Sequence, residues 1–221
     1  MISDTKIAVP GAGEVSAIAM LPPGAKWLYV LGHGAGAGMR HPFMERISEI
    51  LADRGVATLR YQFPYMEDGR RSPDRPPKAE ATVRAAVEAA ARMNSGISVV
   101  AGGKSFGGRM TSMAQANELL EGVRGLVFLG FPLHAPNKPG DRRASHLNDI
   151  DVPMLFLQGT RDALADLELM RPVCENLGDH ATLHVVEGAD HSFKVLKRSG
   201  RTEDEVMAEL GETIVNWCEQ L

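Results

Sequence analysis

The sequence predicts an α/β fold: about eight strands in a mostly parallel sheet, with helices on both faces. Three observations carry that expectation. Short apolar runs alternate with longer stretches of helical periodicity, the pattern of strands joined by crossover helices. The 221 residues are 44% hydrophobic and 24% charged, the balance of a globular protein able to bury a continuous core. No composition shift, internal repeat or low-complexity segment divides the chain. At ~150 residues per domain, the length favours one generous domain over residues 1–221.

The elements follow in order. Residues 6–9 and 15–20 flank a turn-rich Pro-Gly-Ala-Gly-Glu and read as an antiparallel hairpin. After Pro22-Pro23-Gly24, residues 27–31 form a strand by their aromatic and branched content. Residues 42–54 are a helix: Phe43, Ile47, Ile50 and Leu51 share a face, Pro42 suits the first turn and Gly55 the stop. A strand at 56–61 and a helix at 78–93 come next, the helix carrying Val83, Val87 and Ala90. Residues 97–101 are a short buried strand and 106–120 a helix. Strands at 125–129 and 154–157 follow, then a helix at 167–177 stopped by Gly178, and a strand at 181–186. The last helix opens at Thr202-x-x-Glu205, a capping box, with Val206, Leu210, Ile214 and Trp217 on one face. The two longest irregular stretches, 63–77 and 131–152, exceed ordinary connections in a compact α/β domain and are expected to be functional.

Charge and cysteine content exclude several classes. The 24 Lys+Arg against 28 Asp+Glu leave −4, neither a nucleic-acid-coating surface nor an acidic tail. Two cysteines, Cys174 and Cys218, argue against a secreted disulfide framework and for a reducing cytoplasm. No basic-then-apolar leader opens the chain, and no apolar run approaches the ~20 residues of a membrane span. Neither nucleic acid nor membrane is expected as a partner, and nothing signals an oligomeric state. His33, His41, His134, His146, His180 and His184 show no H-x-H or H-E-x-x-H spacing, so no metal is expected. His33 reads as a turn-fixing hydrogen-bond partner and His184 as a packed or edge histidine.

The sharpest feature is Gly103-Lys104-Ser105-Phe106-Gly107, a G-x-S-x-G between a predicted strand and a predicted helix. A strand-to-helix turn this sharp forces the serine into strained dihedrals, and side chains two residues either side would collide. Glycines there remove the collision and leave Ser105 exposed above the strand end. The same residues do not make a phosphate-binding P-loop, because position 98 is serine where glycine is required. Gly32-x-Gly34-x-x-Ala37 fits a dinucleotide fingerprint only weakly, because the following strand ends in Arg60 and Tyr61 without an acid for a ribose. That glycine run has a better use. Its small residues let backbone N–H groups turn toward a developing oxyanion, with Ala35 as one donor, Gly36 as the fallback and Phe106 as the other.

A hydroxyl needs a base to take its proton, and the base needs a carboxylate to orient it. Asp162 follows the penultimate predicted strand and His191 the last, so Ser105, Asp162 and His191 gather at strand carboxyl ends in the expected order. Asp166 and Asp190 are competing acids: Asp190 adjoins His191 and should point elsewhere, and Asp166 is expected inside the next helix.

With these motifs in view, the chain resembles the α/β-hydrolases of the dienelactone-hydrolase-like group. It is most similar to the small hydrolase-fold family that includes testis-expressed protein thirty and a subunit of the nonspecific-lethal chromatin complex. The resemblance runs from about residue 27 to 202 through LGHGAGAGMRHPFM, YQFPYMEDGRRSPDRPP, GGKSFGGRM, GLVFLGFPLHAPNKPG, MLFLQGTRD and EGADHSFK. It implies Ser105, Asp162 and His191 as a catalytic triad, with oxyanion donors on the 34–36 turn and Phe106. The chain departs from dienelactone hydrolase itself, which uses a cysteine nucleophile. The resemblance implies that a cap, when present, is inserted after the strand ending near Leu129; the stretch 131–152, with Pro132, Pro136 and Pro139, is too short for one, so no separate cap domain is expected.

The sequence therefore points to a serine hydrolase, an esterase acting on a small-molecule carboxylic ester or thioester without a cofactor. The alternative is a hydrolase-fold interaction module with little or no turnover, as in the chromatin relatives. Stretches 63–77 and 131–152 are expected to wall an open cleft. The charges on the first read as a solvated loop with internal ion pairs, with Arg70, Arg71 and Arg75 as candidates to hold an anionic substrate. Lys104, beside the serine, adds positive potential or pairs with a neighbouring carboxylate.

Overall fold

A computed structural model describes residues 1–93 and 96–221. The described residues form an eight-stranded sheet: β1 (Ile2–Val9), β2 (Gly13–Met20), β3 (Trp27–Gly32), β4 (Val56–Tyr61), β5 (Ser98–Lys104), β6 (Val123–Leu129), β7 (Met154–Gly159) and β8 (Ala181–Val186). The helices are α1 (Pro42–Asp53), α2 (Pro64–Glu67), α3 (Pro76–Met93), α4 (Phe106–Asn117), α5 (Leu167–Leu177) and α6 (Glu203–Cys218). Spatial order across the sheet is β1-β2-β4-β3-β5-β6-β7-β8. The β1–β2 and β2–β4 pairs are antiparallel and every later pair is parallel.

Period-two alternation divides the strands between two cores. On one face lie Leu28 and Val30 of β3, Leu126 and Phe128 of β6, and Met154 and Phe156 of β7, under α3, α4 and α5. On the other lie Tyr29 and Leu31, Val127 and Leu129, and Leu155 and Leu157, under α1 and α6. Both sets are buried, which is why these strands read as continuous apolar runs rather than as alternation with polar residues.

The chain order reverses between β3 and β5: β4 lies on one side of β3, and β5 returns on the other. Such a switch leaves an open crevice at the carboxyl ends of the strands, because the loops leaving β3 and β5 cover opposite faces. Gly32 pairs with Gly103 across that point. The turn after β3 and the turn after β5 therefore face each other over the crevice.

Candidate active site

Ser105 sits between β5 and α4 at φ 49° and ψ −110°, a conformation unusual for a residue with a Cβ. Its two flanking glycines explain how the chain can hold it there. A methyl group on Gly103 would lie 2.2 Å from the Gly32 carbonyl oxygen, and one on Gly107 would lie 2.4 Å from the same backbone. Only glycine lets β5 and α4 press this closely on β3.

From Ser105 a chain of hydrogen bonds runs into the protein. Ser105 Oγ lies 2.8 Å from His191 Nε2, and His191 Nδ1 lies 2.7 Å from Asp162 Oδ2. An ionised carboxylate can only accept, so Nδ1 carries the ring proton and Nε2 is left free to accept from the serine. The Asp162 side chain is fully buried. Its Oδ1 accepts from the Leu164 N–H at 2.8 Å, and its Oδ2 also accepts from Gln158 Nε2 at 2.5 Å.

The two competing acids are occupied elsewhere. Asp166 lies not inside α5 but just before it, as its cap, accepting from the Glu168 N–H. Asp190 Oδ1 accepts from the Ser192 and Lys194 N–H groups and so closes the turn that carries His191. That turn is tight enough to hold Phe193 at φ 61°.

Opposite the serine, the 34–37 turn is closed by Ala37 N–H donating to the Gly34 carbonyl. Gly36 N–H donates to Tyr65 Oη at 2.9 Å, which removes the fallback oxyanion donor. Among the described residues, the N–H groups of Ala35 and Phe106 have no protein acceptor. Phe106 opens α4, where the helix dipole adds positive potential. His33 is fully buried and pins this turn. Its Nε2 accepts from the Phe63 N–H at 3.1 Å and its Nδ1 donates to the Gly34 carbonyl at 2.8 Å. Burial lowers its pKa to about 4, so the ring stays neutral.

The crevice above Ser105 is a cleft of about 810 Å³. Its walls are the 34–37 turn, the start of α1 (Phe43, Met44, Arg46), the His191 turn (Phe193, Lys194), Leu164 and the start of α6 (Asp204, Met207). The expected walls do not line it among the described residues. Stretch 63–77 folds inward instead: Tyr65 is buried, and Asp74 Oδ2 accepts from the Tyr65 N–H at 2.8 Å. In stretch 131–152 a 3-10 turn, Arg142–Asp149, packs on α4 with Ala144 and Leu147 buried.

The basic loop needs the same correction. Arg70 lies 2.8 Å from Asp74 and 3.2 Å from Asp68, and Arg71 and Arg75 are exposed; none of the three lines the cleft. A buried carboxylate requires a partner, and Arg70 supplies it. The cations that do line the cleft are Arg46, Lys104 and Lys194.

Residues 25–219 match the family model described as an alpha/beta hydrolase domain. The chain belongs to this family. Solved alpha/beta hydrolases share its whole architecture at low identity. A dienelactone hydrolase from Anabaena variabilis superposes with a TM-score of 0.78 at 19% identity, covering 100% of this chain and 97% of its own. A serine hydrolase without a lid from Xanthomonas campestris gives 0.76 at 19%, covering 98% and 94%. The esterase domain of a Rhodothermus marinus protein gives 0.75 at 14%, covering 100% and 98%. Within this alpha/beta hydrolase, sequence reasoning missed Gln158, Tyr65 and the placement of Lys104. Gln158 left one trace, as the polar residue inside the apolar run MLFLQG.

Among the described residues, no helix is long and apolar enough to cross a membrane. Cys174 and Cys218 are free and buried.

Proposed function

We propose that this alpha/beta hydrolase is a serine esterase that cleaves a small carboxylic ester or thioester through an acyl-serine intermediate. The observation that carries the proposal is the unbroken chain from Ser105 Oγ through His191 to the buried Asp162. The esterase and serine-hydrolase names of the fold relatives agree with it.

In this mechanism Ser105 Oγ attacks the carbonyl carbon while His191 Nε2 takes its proton. Negative charge develops on the carbonyl oxygen and is met by the Ala35 and Phe106 N–H groups, which need no reorganisation to receive it. Asp162 holds the imidazole in the Nδ1–H tautomer and offsets the charge of the imidazolium. Collapse breaks the bond to the alcohol or thiol, and His191 returns the proton to that leaving group. Water then attacks the acyl-serine with His191 again as base, and Ser105 is restored.

Within the alpha/beta hydrolases, the strings GGKSFGGRM and EGADHSFK support a place beside the group that includes testis-expressed protein thirty. We take residues 1–221 as one catalytic domain working in the cytoplasm, where two buried free thiols fit a reducing environment.

A fluorophosphonate probe tests the reaction class. It should label the wild-type protein at Ser105 alone, and Ser105→Ala should abolish both labelling and ester turnover while leaving thermal unfolding nearly unchanged. Labelling that persists in the variant moves the nucleophile elsewhere. A wild-type protein that takes no label and turns over no ester is an interaction module instead.

A further inference from the structure

The residue before the serine carries a charge that the mechanism above does not use. Lys104 ends β5, and its Nζ donates to the main-chain carbonyl of His191 at 2.5 Å. The ammonium lies 5.4 Å from the ring centre of Phe193 and 6.0 Å from that of Phe43. Those rings stack on each other 5.8 Å apart, with 15° between their planes. A methyl group added to Gly130 would sit 3.0 Å from Lys104 Nζ and 3.5 Å from both Asp162 Oδ2 and His191 Cε1. The ammonium, the carboxylate and the imidazole thus converge on one glycine-sized space.

No carboxylate lies within 4 Å of this ammonium among the described residues. The charged groups that face it are Asp162 on the turn after β7 and Asp190 beside His191 on the turn after β8; α1 contributes the Phe43 ring. An ammonium half-buried at the cleft floor against two rings and a carbonyl loses part of its hydration, which is unfavourable unless something is gained. A methionine would fill the same space without that penalty. The gain is positional. A charge-assisted bond to a carbonyl is about twice as strong as a neutral one, and this carbonyl belongs to the residue whose ring must stay aligned with Ser105.

We propose that Lys104 is a positioning residue: its ammonium, anchored on the His191 carbonyl against Phe43 and Phe193, holds the imidazole in line with Ser105, and holds it most firmly while charged. This rests on the serine-esterase proposal. Burial lowers the Lys104 pKa to about 8, with Asp162 and Asp190 acting in the opposite direction. The anchor therefore weakens just above neutrality.

The test is the rate–pH profile of p-nitrophenyl butyrate hydrolysis from pH 6 to 10, corrected for the uncatalysed rate, with circular dichroism at each pH. Wild-type kcat should fall with a midpoint near pH 8 while the fold persists. Lys104→Met should lower kcat on the order of 10- to 100-fold at pH 7, the range expected of a slightly misplaced base. Its KM should change little, and its profile should lack the alkaline fall. Phe43→Leu wets the ammonium and should move the fall to higher pH, which keeps the test open if Lys104→Met does not fold. A purely structural lysine would lower the rate equally at every pH. A flat wild-type profile to pH 10, or wild-type kcat in Lys104→Met at pH 7, overturns the inference and leaves the esterase intact. A wild-type protein without turnover or fluorophosphonate label overturns both.

Discussion

Three aspartates lie within reach of His191 in sequence, and what each already holds decides between them. Asp162 is buried and accepts from Gln158, Leu164 and His191. Asp166 caps α5, and Asp190 ties its own turn. Asp162→Asn keeps the shape but favours the wrong imidazole tautomer, so kcat should fall on the order of 10⁴-fold. Asp166→Asn keeps a good cap and should stay within a few-fold of wild type. Steady-state ester turnover of the two variants decides, and equal losses in both would remove Asp162 from the role. The order of Ser105, Asp162 and His191 was legible because each follows a recognisable strand and the glycines around Ser105 are a local requirement. Gln158 and the Lys104 anchor were not, because both depend on which strand ends lie side by side. Nothing within a few residues of Lys104 says that the His191 carbonyl will meet its ammonium.

Strands and helices were legible where their packing is regular, and shifted where a tertiary contact overrides the local pattern. Strand β5 runs on through Gly102 and Gly103 to Lys104, past its apolar residues, because those glycines pair with Val127 of β6 and Gly32 of β3. Helix α4 stops at Asn117 rather than 120, where Gln115 Oε1 accepts from the Leu120 N–H and turns the chain toward β6. In stretch 63–77 the number of basic and acidic residues is visible in the sequence, so internal ion pairs and an anion site both fit; the burial of Asp74, which selects the ion pairs, is not visible there. Helix α6 offers a test of packing against propensity. Gly211 lies in its interior, where alanine would gain ~1 kcal/mol of helix propensity. A methyl group there would meet Ile50 Cγ2 of α1 at 2.4 Å, and a β-branched side chain in a buried seam cannot swing away freely. Overpacking of this kind costs roughly 1–3 kcal/mol, so the larger effect is the clash. Gly211→Ala should lower stability by about 1 kcal/mol net in urea unfolding. An increase would mean that α1 and α6 can part at no cost.

How the whole molecule responds to acid is governed by two histidines on one covered face, the one beneath α3, α4 and α5. Both are kept neutral through burial. His33 pins the turn after β3 to Phe63, and His146 joins the 3-10 turn to Ser112 of α4 at 2.7 Å. Burial lowers both pKa values from 6.5 to about 4, and Arg109 adds to the effect at His146. Between those values the unfolded chain binds more protons than the folded one, so stability rises with pH across that window. The contribution is complete above about pH 6.5 and is lost as pH falls toward 4. For His33 the loss is on the order of 3 kcal/mol by the acid end of the window; for the more exposed His146 it is smaller. Against a typical total of roughly 5–15 kcal/mol, the two together are a large share. Carboxylates held below their usual range, such as Glu67 beside Lys6 and Glu209 beside Arg201, come into play only below about pH 4.5, so the two effects separate. Urea unfolding at pH 7, 5.5 and 4.5 should show most of the loss above pH 4.5, with unchanged native circular dichroism. His146→Gln retains an acceptor for Ser112 but cannot bind a proton, so its stability should fall less steeply over the same range. Stability that stays level down to pH 4.5 would mean that neither ring is held neutral, and that the turns they close are open to water.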